Sequence, residues 1–319
     1  IGVLPTYATI GVAAPILLLF FRLLQGLAFG GEVPSIIIYI RETINLRKAV
    51  AVAFVFALLV SGLLPGMLLH LGLTHILSKQ QISDYGWRIG FILGGVVCFI
   101  SYQVRKKLHE TEAFKNLHCK PKYPFILLMR SQLHKVFIGI ILIGFMAITS
   151  TLATLFMPTY LLVIIKSSSK YLDNAVVCGI LSDVIAIYLV GYVIDRFNVI
   201  KIMLINIILL MLITPVVYWL IEIQFNLIFT LSLFGFFVGL VVTPTMLILG
   251  QLFPTNVSLS GVAFSYNLGY IIFGGLCPLM LIWAITKFAH IYLTPVIMVW
   301  ISGLISIYAV SKCSRQLIN

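Results

Sequence analysis

Arg22-Leu23-Leu24-Gln25-Gly26-Leu27-Ala28-Phe29-Gly30-Gly31-Glu32 sets an arginine and a glutamate inside an apolar run that extends from Ala13 to Ile40. A charge at the middle of a bilayer costs about 3 kcal/mol or more unless it pairs or faces water. At helical spacing Arg22, Gln25, Phe29 and Glu32 fall along one stripe, because residues three and four apart share a face. Arg22 and Glu32 lie about 15 Å apart along the axis, at roughly 1.5 Å per residue, too far to touch each other. Each needs a partner on another helix, or a ligand. Two readings follow: a polar pathway through a helix bundle, or a pair of structural charges that fix helix packing. Intramembrane ionisable groups mark pathways by default, so the first reading is adopted.

The surrounding composition agrees. The 319 residues are 61% hydrophobic and 9% charged, whereas a soluble domain carries about 25% charged residues. This excludes a water-soluble core and indicates a polytopic membrane protein embedded in a lipid bilayer. The chain starts at Ile1 without a methionine, and nothing in it resembles a cleaved signal peptide. A net charge of +12 would suggest nucleic acid in a soluble protein. Here the cations cluster beside apolar spans, so the positive-inside rule accounts for them and no nucleic-acid partner is expected. Cys98, Cys178 and Cys277 sit in apolar spans, and Cys119 and Cys313 in basic loops. Without a CxxC they predict neither a disulfide framework nor a zinc site, and His118-Cys119 reads as a solvated loop. The spans contain no nucleophile–base set and no His/Asp cluster, so neither an enzyme nor a metal or cofactor is expected.

Spans of about 20 apolar residues read as transmembrane helices. Nine are expected: Ala13–Ile40, Ala49–Leu71, a somewhat short Trp87–Tyr102, Val136–Ile165, Ala175–Ile194, Ile202–Ile221, Leu227–Leu252, Gly261–Ile285 and Ile291–Val310. Ile1–Ile10 is long enough for half a span. Eight of the 21 Lys and Arg residues lie between Arg105 and Lys135, separating three spans from six. With that stretch in the cytoplasm, Arg41, Arg47, Lys48, Arg196, Lys201, Lys312 and Arg315 are also inside, and only Lys79, Arg88, Lys166, Lys170 and Lys287 fall outside. The asymmetry supports this direction and predicts a cytoplasmic C-terminus.

Arg22-x-x-Gln25-Gly26-x-x-x-Gly30 resembles the fourth-helix motif of the major facilitator superfamily. Its continuation through Gly31-Glu32 to Tyr39-Ile40-x-Glu42 is similar to the metabolite:proton symporters, which carry proline/betaine, dicarboxylates, citrate and shikimate. Several other stretches resemble the same family: Leu4-Pro5-Thr6-Tyr7, Gly86-Trp87-Arg88, Leu108-His109-Glu110-Thr111-Glu112-Ala113-Phe114, Met157-Pro158-Thr159-Tyr160, and Phe253-Pro254-Thr255-Asn256 with Ser260-Gly261 and Ser265-Tyr266-Asn267. Gly191-Tyr192-Val193-Ile194-Asp195-Arg196 looks like the Gly-x-x-x-Asp-Arg loop between helices eight and nine, where the aspartate and arginine can cap a neighbouring helix and form a breakable ion pair. Its alternative reading is a positive-inside turn.

The resemblance implies an all-α fold, a partial major facilitator fold of about nine full transmembrane helices plus a stub. Residues 1–104 would be the remainder of an N-terminal bundle, from the end of helix three to helix six. Residues 105–135 would be a basic cytoplasmic linker, and residues 136–319 the C-terminal six-helix bundle. About two and a half helices of the first half are then expected to lie in a missing N-terminal segment or a partner chain, unless the gene has decayed. The implied function is proton-coupled symport of a small polar metabolite or osmolyte across a bacterial inner membrane by alternating access. A truncated remnant without transport, part of a split carrier, and a dicarboxylate symporter are the alternatives.

In that scheme Arg22 would bind a substrate carboxylate or modulate a proton site, Glu32 would carry or relay the proton, and Gln25 shares their stripe. Gly191, Asp195 and Arg196 would belong to the cytoplasmic gate, and Tyr160 to an outer gate. Tyr266 and Asn267 would face the cavity, with Gly274-Gly275-x-x-Pro278 permitting a bend. Asp183, near the middle of its span, suits a proton carrier, or else a structural partner of Arg22 or of a backbone group. Arg88 is expected at headgroups or near Asp84. The sequence also departs from the family. Val33-Pro34-Ser35-Ile36 replaces Tyr-Gly-Gly-Ala, with a kink expected one turn below Glu32. Asn198, Val199 and Ile200 stand where Gly-Arg-Arg is usual, and no arginine precedes Ser260-Gly261. A single cation well inside a span tilts the substrate toward zwitterions such as proline or betaine.

Overall fold

The computed structural model describes residues 1–44, 46–106, 123–165, 172–288 and 291–317. The motif Leu108–Phe114 and the pair His118-Cys119 lie outside them. Among the described residues nine helices are long and apolar enough to cross a membrane, and no strand occurs. They are α1 (Ala13–Thr43), α2 (Lys48–Ile76), α3 (Lys79–Val104), α4 (Leu133–Ile164), α5 (Leu172–Ile194), α6 (Val199–Glu222), α7 (Leu227–Gln251), α8 (Thr255–Phe288) and α9 (Leu293–Cys313). All nine expected spans are present.

Polar residues set several of the ends. Ser78 and Gln81 form a reciprocal capping box before α3: the Gln81 N–H donates to Ser78 Oγ at 3.3 Å and the Ser78 N–H to Gln81 Oε1 at 2.9 Å. That box, and a π-helical turn over Ile82–Gly86, extend α3 well before Trp87. Asn198 caps α6 by accepting from the Ile200 N–H at 2.9 Å, and Asn226 caps α7 by accepting from the Phe229 N–H at 3.2 Å. The half-span at Ile1–Ile10 is a short helix, Tyr7–Ile10, closed by Gly11 at φ 58°. Arg88 does not turn to Asp84. Its guanidinium lies 4.7 Å above the Trp87 ring and donates to the Gly2 carbonyl at 3.3 Å.

The helices α4–α9 pack into one bundle. α4 lies against α7, α8 and α9, α5 against α7, and α6 against α7 and α9. Its core includes the fully buried Phe145, Tyr160, Tyr218 and Phe234. From the other three helices, the second half of α1 packs on α7 and α8, and the first half of α2 packs on α5 and α7. No residue of Ala13–Gly30 is buried.

At three of the prolines inside spans, the carbonyl that proline leaves unpaired is answered by a donor from a neighbouring helix. Proline has no N–H, so the carbonyl four residues earlier loses its helical partner. In a membrane an unsatisfied carbonyl costs several kcal/mol. Pro34 releases the Gly30 carbonyl, which accepts from Asn267 Nδ2 at 2.8 Å. Pro244 releases Leu240, which accepts from Asn206 Nδ2 at 2.6 Å. Pro215 releases Met211, which accepts from Trp300 Nε1 at 2.8 Å.

The release at Gly30 corrects the expected kink below Glu32. The regular ladder of α1 lapses ahead of the proline, at Gly31, and resumes at Glu32. The bond that Pro34 cannot make belongs to a carbonyl one turn earlier. Ser35 steadies the junction by donating from Oγ to the Gly31 carbonyl at 2.6 Å. The bend expected around Gly274-Gly275 takes the form of a π-helical turn over Tyr270–Gly275, with regular helix resuming at Cys277 before Pro278.

Candidate functional site

The residues singled out in the sequence occupy three places: the α1 stripe, the core of the six-helix bundle, and one end of the contact between the two helix groups. On α1, Arg22 is exposed and donates from Nη1 to Gln25 Oε1 at 3.2 Å. Its guanidinium also sits 5.4 Å from the centre of the Phe91 ring on α3. Arg22 lines a cavity of about 540 Å³ with Tyr7, Leu18, Trp87 and Phe91, and is the only charged side chain among its lining residues. Glu32 is half-buried where α1 resumes after Gly31. The stripe therefore survives as Arg22 and Gln25 on one side of the Gly31 break and Glu32 on the other.

That break is also where α8 meets α1. Asn267 holds the Gly30 carbonyl, and the same amide donates to the Ala263 carbonyl of its own helix at 2.8 Å. Tyr266 is buried with its ring 4.8 Å from that of Tyr270. Tyr160 lies elsewhere. It is buried in the six-helix core, packs edge-to-face on Tyr218, and donates from its hydroxyl to the Ile291 carbonyl at 2.9 Å. In this conformation it ties α4 to the segment before α9.

Two ties close one end of the contact between α1–α2 and the bundle. Asp195, at the end of α5, accepts from the Ala49 N–H at 3.1 Å. It thereby satisfies a free donor in the first turn of α2, where the helix dipole also favours negative charge. Gly191 allows the approach, because a Cβ there would stand 2.5 Å from the Ala53 Cβ. Arg196 stands exposed beside it. The second tie was not read from the sequence. Arg41 Nη1, at the end of α1, donates to the Gly250 carbonyl in the last turn of α7 at 2.8 Å and to the Phe253 carbonyl just beyond it at 2.9 Å. Helix ends leave such carbonyls unpaired, and cations near them are stabilising. Arg41 occupies the open position of Tyr39-Ile40-x-Glu42, where it reads as one more positive-inside cation.

Asp183 and Arg22 are not brought together. Asp183 is 3% exposed in the contact between α5 and α7, and its Oδ1 has no hydrogen-bond partner. Among the described residues no three of His, Cys, Asp and Glu stand together as a metal site would need.

Comparisons with known proteins agree with this architecture. Residues 1–276 match the family model of the Major Facilitator Superfamily. A Staphylococcus aureus (strain COL) protein provisionally named a proline/betaine transporter is 28% identical over 295 residues, covering 90% of this chain and 63% of that protein. The citrate-proton symporter of Salmonella typhi is 30% identical over 286 residues, covering 87% of this chain and 65% of the relative. The alpha-ketoglutarate permease of Escherichia coli (strain K12) is 38% identical over 112 residues, covering 35% of this chain and 26% of the relative. The chain thus spans somewhat less than two thirds of the curated relatives matched along most of it. A crystal structure of the Major Facilitator Superfamily transporter FucP in the outward conformation superposes with a TM-score of 0.58 at 12% identity, over 82% of this chain and 68% of that one. These relatives are transport proteins rather than enzymes. The nine membrane-length helices, the six-helix bundle and the match over residues 1–276 together make this chain a multi-pass membrane protein of the Major Facilitator Superfamily.

Proposed function

We propose that this chain forms the larger part of a proton-coupled symporter for a small polar metabolite, working by alternating access in a bacterial inner membrane. The observation that carries the reading is the pair of ties at one end, Asp195 to the start of α2 and Arg41 to the end of α7. Both are hydrogen bonds to backbone groups at helix ends, so each can break and re-form without unfolding a helix. With the basic 105–135 stretch and the C-terminus in the cytoplasm, these ties close the cytoplasmic side. Rocking α1–α2 away from α5 and α7 would open it.

The substrate we favour is a zwitterion of the proline or betaine kind. Arg22 is the one charged side chain lining the cavity, which matches one carboxylate, and the cavity walls are mostly apolar. Glu32, where α1 resumes, is placed to relay a proton as the helix flexes at Gly31. Symport of a dicarboxylate is the second reading, supported by the similarity to the citrate-proton symporter and the alpha-ketoglutarate permease. The experiment is uptake of labelled proline, betaine and oxoglutarate into vesicles holding this chain, with and without an imposed inward proton gradient. Gradient-stimulated uptake of proline or betaine is expected, abolished by Glu32→Gln. Stimulated uptake of oxoglutarate alone would replace the substrate class. No uptake of any of the three would contradict transport by this chain.

A further inference from the structure

The α5–α7 contact is built from a ladder of small residues that holds one acid. Gly179, Asp183 and Ile187 recur at intervals of four on α5; Gly235, Gly239 and Thr243 do so on α7. The two rows face each other rung by rung. A Cβ on Gly235 would clash with the Gly179 carbonyl, and a Cβ on Gly239 would clash with the Asp183 carbonyl and stand 2.7 Å from Asp183 Oδ1. Thr243 Oγ1 donates to the Ile187 carbonyl at 3.1 Å. Small residues at this spacing let membrane helices approach closely. A carboxyl among them is out of place unless it has work to do there.

Asp183 sits at the centre of α5, eleven residues from Leu172 and eleven from Ile194. Its Oδ1 is buried and unpartnered. α7, which covers it, carries no ionisable side chain, and neither does the Thr151–Phe156 turn of α4 that touches α5. On α2, Lys48 lies at the far end, and His70 and His75 are exposed. Of the groups on elements around it, Tyr270 of α8 is the one within electrostatic reach. Along α5 itself, Asp173 and Asp195 lie near the two ends, and the other ionisable side chains are Cys178, Tyr188 and Tyr192. A charged carboxylate whose Oδ1 is buried without a partner would be destabilising in such a place. A neutral carboxyl fits it, since its O–H can donate to a neighbouring backbone carbonyl.

We propose that Asp183 is the residue on which the coupling proton rides: it holds the proton while the α5–α7 rung is closed to water, and releases it when the rocking of α1–α2 away from α5 and α7 lets water reach the carboxylate. The assignment rests on the proton-coupled reading above. It makes the α5–α7 rung the point where proton binding meets the rocking of α1–α2. Protonation removes the charge that resists burial, so α1–α2 can settle back onto α5 and α7; a carboxylate that has lost its proton favours the state in which water reaches it. Arg22 and the substrate cavity lie on α1 and α3, so the rocking of α1–α2 is what links substrate to proton.

The first test is Asp183→Asn in vesicles with labelled betaine. Accumulation driven by an inward proton gradient should fall to the no-gradient level, while exchange of labelled for unlabelled betaine persists. Gradient-driven accumulation that survives the substitution would overturn the assignment. A second measurement needs no variant and no transport. Asp84, Asp173, Asp183 and Asp195 are the only aspartates in the chain, and Asp183 alone among them is buried. Infrared difference spectra of the unaltered chain between acid and alkaline pH should show a buried protonated-carboxyl band that shifts on carbon-13 labelling of aspartate. A band unmoved by that label would overturn the proposal. Were betaine uptake absent but the aspartate band present, the symport reading would fail while proton binding at Asp183 stood.

Discussion

Asn267 Nδ2 donates to the Gly30 carbonyl at 2.8 Å, across the contact between α8 and α1, at a carbonyl that Pro34 cannot pair. This is the one proline-released carbonyl of the three described whose donor comes from the six-helix bundle and whose acceptor belongs to α1–α3. Asn267→Leu should strand that carbonyl, at a loss of about 0.6–1.7 kcal/mol, the range measured for interhelical hydrogen bonds in membranes. Pro34→Ala should remove most of the penalty by returning an N–H to the Gly30 carbonyl. Thermal unfolding of the purified chain in detergent would show it: a lowered midpoint for Asn267→Leu, recovered in the double variant. Equal loss with and without Pro34 would contradict the pairing.

The glycines of α7 are predicted to be far less tolerant than those of α1. Gly239→Ala presses a methyl against the Asp183 carbonyl, and Gly235→Ala presses one against that of Gly179. Overpacking of this kind costs about 1–3 kcal/mol. Gly26→Ala, where a Cβ meets nothing within 4 Å, should be neutral or slightly stabilising. The yield of folded, monodisperse protein and its unfolding midpoint separate the two outcomes. A Gly239→Ala variant as stable as Gly26→Ala would show that the two helices are not in contact at that rung.

Cys313 reports on the Arg41 tie. It is buried, and it lines a cavity of about 270 Å³ together with Arg41, Lys135 and Phe253. With the other cysteines replaced by serine, Arg41→Ala should release the end of α7 and raise the rate at which a water-soluble maleimide labels Cys313. Asp195→Asn should raise it less, because an amide oxygen can still accept from the Ala49 N–H. An unchanged labelling rate in Arg41→Ala would mean that this tie does not hold the end closed.

The fold was largely legible because span length and loop charge are one-dimensional signals, and each of the nine apolar runs folds as its own helix. Asp195 was legible too, since the Gly191-to-Arg196 loop carries an acid that can cap a neighbouring helix, as it does at the start of α2. What stayed hidden needed partners distant in sequence. Asn206 and Trp300 belong to no motif, and nothing local marks them as the donors to Leu240 and Met211. Arg41 looked like any other basic residue at a span end. The partners of Tyr160 stayed hidden for a different reason. The π-helical turn over Thr151–Phe156 precedes it in α4, and one extra residue in a helix rotates every later side chain by about 100°. The face that carries Tyr160 therefore cannot be read from a regular period.

The coupling claim is tested most directly by proton movement. Unlabelled betaine is added to lightly buffered vesicles containing this chain, with no imposed gradient, and the external pH is followed. Symport predicts a prompt alkalinisation that saturates with betaine, collapses with a protonophore, and is absent in Glu32→Gln and Asp183→Asn. Betaine entry with no change in external pH would contradict proton coupling.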